Sequence, residues 1–75
     1  MKYNQQNTAQ FLQRIIKLRY RHNEYIHSIA GKITQIRKHD IKFSGFGRNN
    51  KSTIKYHDIE NIADPDEMFG NELHN

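Results

Sequence analysis

The stretch Ile15-Ile16-Lys17-Leu18-Arg19-Tyr20-Arg21-His22-Asn23-Glu24-Tyr25-Ile26 decides the fold. Ile16, Leu18 and Tyr20 alternate with Lys17, Arg19 and Arg21, a period of two that gives a strand one apolar and one cationic face. Read together with the residues upstream, the same segment has a second period. Phe11, Leu12, Ile15, Ile16 and Arg19 have the spacing of one helix face. Periodicity alone leaves both readings open over 15–21. His22-Asn23-Glu24 reads as a turn, and from Tyr25 onward the chain reads as strands.

Upstream, residues 3–14 are polar and rich in Gln and Asn, with Ala9, Phe11 and Leu12 as the apolar members. Asn4 or Asn7 can cap a short helix over about 4–13. Downstream, Ile29 and Ile33 keep the strand period but Ile36 breaks it, which predicts a bulge or bend near Gly31 to Gln35. Lys38-His39-Asp40 is a second turn, Ile41 and Phe43 begin a short strand, and Gly45 to Lys51 has the Gly and Asn density of a loop. Ile54 and Tyr56 make the next strand, and Ile59 and Ile62 belong to an amphipathic closing segment. The expected core contains Tyr20, Ile26, Ile29, Ile33, Ile36, Ile54 and Ile59. Past Ala63-Asp64-Pro65 the chain reads as a tail. The predicted organisation is one small domain over 1–63, with strands at about 15–62, and an acidic tail over 64–75.

Seventy-five residues allow one domain with a small core. There is no cysteine, hence no disulfide or thiolate-zinc staple. The absence of a signal-length or membrane-length apolar run predicts a cytoplasmic protein. Charge is divided along the chain. All 12 Lys and Arg residues fall within 1–57, while six of the 8 acids follow: Asp58, Glu60, Asp64, Asp66, Glu67 and Glu72. With His neutral, the first part carries +12 − 2 = +10 and the remainder −6. Such a division predicts a binding module steered by charge toward phosphate or an acidic protein face.

The order of residues in Leu18 to Ile36, LRYRHNEYIHSIAGKITQI, and in Ile54 to Ile62, IKYHDIENI, resembles the YolD-like family. The carriers are Tyr20, Tyr25-Ile26, Gly31-Lys32-Ile33, Ile54, Tyr56, Asp58-Ile59 and Ile62. The chain departs from the pattern at Asn23-Glu24, where that family often has Asp-Gly, and in its longer Gly45–Lys51 loop. The resemblance implies a mainly β, Sm-like fold: a short N-terminal helix, then a strongly bent antiparallel sheet or open barrel. It also selects the strand reading of 15–21. It implies a small protein of low-GC Gram-positive bacteria or their phages, in a family with no established chemistry, some of whose members are encoded beside error-prone polymerases that work on the sliding clamp.

The side-chain inventory predicts no enzyme. The 5 histidines (His22, His27, His39, His57 and His74) have no finger or helical ligand spacing. Ser28, Ser44 and Ser52 sit in no nucleophile elbow, and Gly45, Gly47, Arg48 and Lys51 lack the ending of a phosphate loop. No cofactor or metal is expected. Two binding surfaces compete. The tail offers Asp58, Glu60, Asp64, Asp66 and Glu67 as steering charge, with Met68 and Phe69 as anchors similar to those of peptides that enter the sliding clamp. That surface would make the chain a phage-type module that inhibits or redirects a host replication, repair or transcription protein. The body offers Lys17, Arg19, Arg21, Arg37, Lys38, Lys42, Arg48 and Lys51 among Tyr25, Phe43, Phe46 and Tyr56, a composition suited to RNA or single-stranded DNA. Unguarded sheet edges and an apolar patch of Ile41, Phe43 and Phe46 predict a homodimer.

Overall fold

The alternating reading of the decisive stretch is the one the chain adopts. Ile15–His22 is a strand, β1, which turns at Asn23-Glu24 into the long strand β2, Tyr25–Ile36. The computed structural model describes residues 2–47 and 51–64. Three more strands follow: β3 (Asp40–Gly45), β4 (Lys51–Lys55) and β5 (Ile59–Ala63). All neighbours are antiparallel, in the order β4-β3-β2-β1-β5. The fold is therefore mainly β, a five-stranded open sheet preceded by a short helix.

Connectivity requires this sheet to curl. Strands β4 and β5 are the two opposite edges, yet only the 3-10 turn Tyr56–Asp58 joins them. Four Cα steps from Lys55 to Ile59 reach at most about 14 Å. The edges of a flat five-stranded sheet stand about 19 Å apart. The sheet must bend until its edges approach, which puts a small core on the concave side. Two register shifts assist, between Arg19 and Tyr20 in the β1–β5 pairing and between Ile33 and Gln35 in the β2–β3 pairing. The second lies where the broken isoleucine spacing predicted it.

The core consists of Ile16, Leu18, Ile33, Ile41 and Phe43, all essentially inaccessible, with Ile54, Tyr56, Ile59 and Ile62 nearly so. Tyr20, Ile29 and Ile36 pack against it partly buried. Ile26 corrects the expectation of a buried side chain, being 41% exposed. The β1–β2 register is unbroken from Ile15↔Lys32 to His22↔Tyr25. Residues 26 and 29, three apart, therefore face opposite sides, and Ile26 shares the convex face with its partner Arg21. The expected edge patch is corrected as well. Ile41 and Phe43 lie in β3, which β4 covers, and both point into the core; Phe46 alone of the three is exposed.

The N-terminal segment closes part of the concave side. Its helix, α1, is a single turn, Gln5–Thr8, followed by the 3-10 turn Ala9–Phe11, and so is shorter than the 4–13 span predicted. Asn4 and Asn7 form a reciprocal cap: Asn7 N–H donates to Asn4 Oδ1 at 2.8 Å, and Asn4 N–H to Asn7 Oδ1 at 2.9 Å. A helix this short cannot sustain itself. It is held from outside: Gln13 N–H donates to the Ile33 carbonyl at 3.0 Å, and Ile62 N–H donates to the Tyr3 hydroxyl at 2.9 Å. Gln13 has φ 63°, which ends any helical continuation into β1.

Tyr56 is a second tie. Its hydroxyl donates to the Arg37 carbonyl at 2.6 Å, joining the turn after β4 to the turn after β2. Burial, and secondarily the charge of Asp40, raise the phenol pKa above its ordinary value. The phenol is held neutral in the fold, so its contribution to stability is full below about pH 10 and is lost as pH rises through the higher folded value. Tyr56→Phe is expected to cost about 1 kcal/mol at neutral pH through the lost hydrogen bond. The variant should also lack the part of the wild type's alkaline destabilisation that the phenol causes. Urea midpoints by circular dichroism between pH 7 and pH 11.5 check both. Parallel alkaline curves for the two proteins would contradict this role.

Candidate functional site: the cationic convex face

Strand alternation that turns Ile16 and Leu18 inward turns Lys17 and Arg19 outward. Cross-strand register then collects cations from four strands on one surface. Lys17, Arg19 and Arg21 come from β1, Lys32 from β2, Lys42 from β3, and Lys51 and Lys55 from β4. The chain of partners Ile15↔Lys32, Lys32↔Ser44 and Ser44↔Lys51 shows that these strands present the same side. Ser28, Ser44, Thr53 and Asn61 fill the spaces between the charges with hydrogen-bonding groups.

Two shallow depressions lie on this surface. One, over β2, β1 and β5, is lined by Lys17, Arg19, Ile26, Ser28, Asn61 and Ala63. The other, over β2, β3 and β4, has Thr34, Gln35, Lys42, Ser44, Lys51 and Thr53 among its lining. In the second, Lys42 Nζ donates to Thr53 Oγ1 at 2.7 Å, which fixes the ammonium across two strands. Both combine ammonium or guanidinium groups with neutral polar donors, the chemistry that holds phosphate.

Ion pairing sorts these cations. Arg21 pairs with Glu60 at 3.1 Å, Arg37 with Asp40 at 3.2 Å, and Arg14 with Asp64. Lys17, Arg19, Lys32, Lys42, Lys51 and Lys55 have no acidic partner among the described residues. Of the seven cations on this face only Arg21 has a carboxylate partner among the described residues, so the surface keeps most of its positive charge.

Of the body residues expected to bind, Lys17, Arg19, Arg21, Lys42 and Lys51 share this face. Arg37 and Lys38 sit in the turn between β2 and β3, and Arg48 lies outside the described residues. Lys32 and Lys55 were missed by the sequence reading, although each occupies an outward position once register is known. The aromatic partners divide. Phe43 and Tyr56 are core residues and cannot stack on a ligand, whereas Tyr25 and Phe46 are exposed. Of the acidic set, Glu60 and Asp64 are engaged with body arginines and Asp58 lies 3.3 Å from His57. Asp66, Glu67, Met68 and Phe69 lie outside the described residues.

Among the described residues, no three His, Asp or Glu side chains are grouped to hold a metal, and no helix is long and apolar enough to cross a membrane. No family model matches the chain, and neither a curated protein nor a solved structure matches it.

Proposed function

We propose that this chain is a non-catalytic binding module whose convex sheet face takes single-stranded nucleic acid. The observation that carries the reading is the register itself, which gathers cations from four strands onto one side and leaves six without acidic partners among the described residues. A core satisfied on the concave side does not require this arrangement. A polyanion lying across the strands would meet Lys17 and Arg19 at one depression and Lys42 and Lys51 at the other. Kinship with the YolD-like proteins is part of the same proposal; a short helix followed by a bent antiparallel sheet is what that kinship implies, and the element order is consistent with it. Binding to a host DNA-metabolism protein such as the sliding clamp, through Asp66, Glu67, Met68 and Phe69, is the alternative proposal, and its anchors lie outside the described residues.

The test is fluorescence anisotropy with labelled oligothymidylate and oligouridylate over a salt series. Wild-type affinity is expected to fall linearly on a log–log salt plot. The double variant Arg19→Glu/Lys51→Glu changes two exposed side chains in separate halves of the sheet and should leave the thermal transition near that of the wild type. It is expected to weaken binding at least about tenfold and to flatten the salt slope by roughly 1.4, the loss of two single-strand phosphate contacts. Undetectable wild-type binding at low salt, or affinity indifferent to both reversals, would overturn the reading.

A further inference from the structure

Past the core, the β1–β2 hairpin continues as a two-stranded ribbon. Strand β5 pairs with β1 only over Lys17 to Tyr20, and β3 meets β2 only from Gly31 onward. Residues 21–28 are all exposed. On the side of this ribbon continuous with the core, the apolar pair Leu18↔Ile29 gives way to Tyr20↔His27 and then His22↔Tyr25. Four rings therefore follow one another along one face. Tyr20 and His27 stack with centroids 5.3 Å apart and planes 24° from parallel, and His22 stands 6.0 Å from His27. Tyr25, at the end of the ladder, is 70% exposed. The opposite face of the same ribbon carries Arg19 and Arg21, paired with Ser28 and Ile26.

We infer that this ring ladder is a nucleobase-stacking site, holding unpaired bases of the strand whose phosphates the convex face binds. The inference rests on the proposed reading of that face. Charge complementarity selects the occupant. A polyanion following the cations along β1 passes Arg19, still paired with β5, and reaches Arg21, where the sheet has narrowed to two strands, and its bases can pass round the free edge to the rings behind. Tyr and His present flat π faces with polar edges, which suit a stacked base better than an aliphatic side chain. Stacking of this kind accepts any base, so the site adds affinity for unpaired strands without strict sequence choice.

The experiment compares a labelled oligothymidylate with an abasic oligonucleotide of equal length and charge, using the full chain. The wild type is expected to bind the base-bearing strand at least about tenfold more tightly. Tyr25→Ala and His27→Ala should each remove most of that preference while leaving abasic binding unchanged, and Tyr25→Phe should retain it. Circular dichroism confirms the fold of each variant, and Tyr25→Phe preserves the ring where alanine disturbs the hairpin. Equal wild-type affinity for the two strands, or a preference that survives both alanine changes, would overturn the stacking site while leaving the phosphate surface standing. No binding to either strand at low salt would overturn both.

Discussion

Gly31→Ala is expected to abolish the cooperative thermal transition or to lower its midpoint by more than about 15 °C. Gly31 lies where β2 is paired on both sides at once, with Ile16 in β1 and Gly45 in β3. A methyl group at Gly31 would stand 2.2 Å from the Ser44 carbonyl oxygen and 2.7 Å from the Gly45 Cα. Both obstacles are backbone, so no rotamer change relieves them. The strand pair must separate, and with it the adjoining hydrogen bond from Phe46 N–H to the Ala30 carbonyl at 2.9 Å. The glycine is required here for close approach of two strands. Overpacking of this kind against backbone belongs to the large end of single-substitution effects, about 4 kcal/mol or more, a large share of what a small domain possesses. Each kilocalorie moves the midpoint of a domain this size by roughly 4–8 °C. A melting curve within a few degrees of the wild type would show that β3 does not approach β2 as described.

Ile33→Ala is the second large loss expected, about 2–5 kcal/mol. Ile33 is fully inaccessible and faces Phe43 across the β2–β3 pairing, one step before the register shift. Its carbonyl also receives the Gln13 N–H that anchors the N-terminal segment. Truncating the side chain removes three carbons from a small core, nine buried hydrophobic residues among those described, in which little neighbouring mass exists to collapse into the space. Chemical denaturation reads the loss directly. Loosening should spread to the N-terminal segment, so amide exchange at Thr8, whose N–H donates to the Asn4 carbonyl at 3.1 Å, is expected to accelerate more than the global change accounts for. A loss below about 1 kcal/mol would mean that the site repacks freely.

The turn between β1 and β2 shows how far local chemistry reaches. Asn23 and Glu24 both have positive φ, 50° and 70°. This is the two-residue hairpin geometry whose twist matches the flanking strands. Asn tolerates that region, but Glu does so at a cost of about 1–2 kcal/mol. The turn forms despite its second residue because the paired strands on either side, eight residues of unbroken register, over-determine it. α1 likewise depends on its surroundings. Its cap at Asn4 was legible and its length was not, since its end is imposed by the Gln13 bond to β2.

From residue order alone the strands β2 and β3, the turns and the bulge window were legible, because these depend on the period of apolar residues and on the backbone preferences of Asn, Gly and Asp; the closing segment 59–62 was legible as amphipathic but not as the edge strand β5. Once 15–21 is a strand, residue order also puts Lys17, Arg19 and Arg21 on one side, since alternation within one strand needs no partner. It did not resolve the helix and strand periods over 15–21, which overlap until pairing with β2 and β5 chooses between them. Tertiary structure alone decided which outward cations stand together. Register between strands far apart in the chain adds Lys32 and Lys55 to the face and removes Phe43 and Tyr56 from it. It likewise turned Ile26 outward, paired Glu60 and Asp64 with body arginines, and aligned Tyr20, His27, His22 and Tyr25 on one side of the hairpin. The physical reason is the same in each case: a side chain's face is fixed locally, but its neighbours on that face are fixed by hydrogen bonds between strands, which residue order does not encode pair by pair.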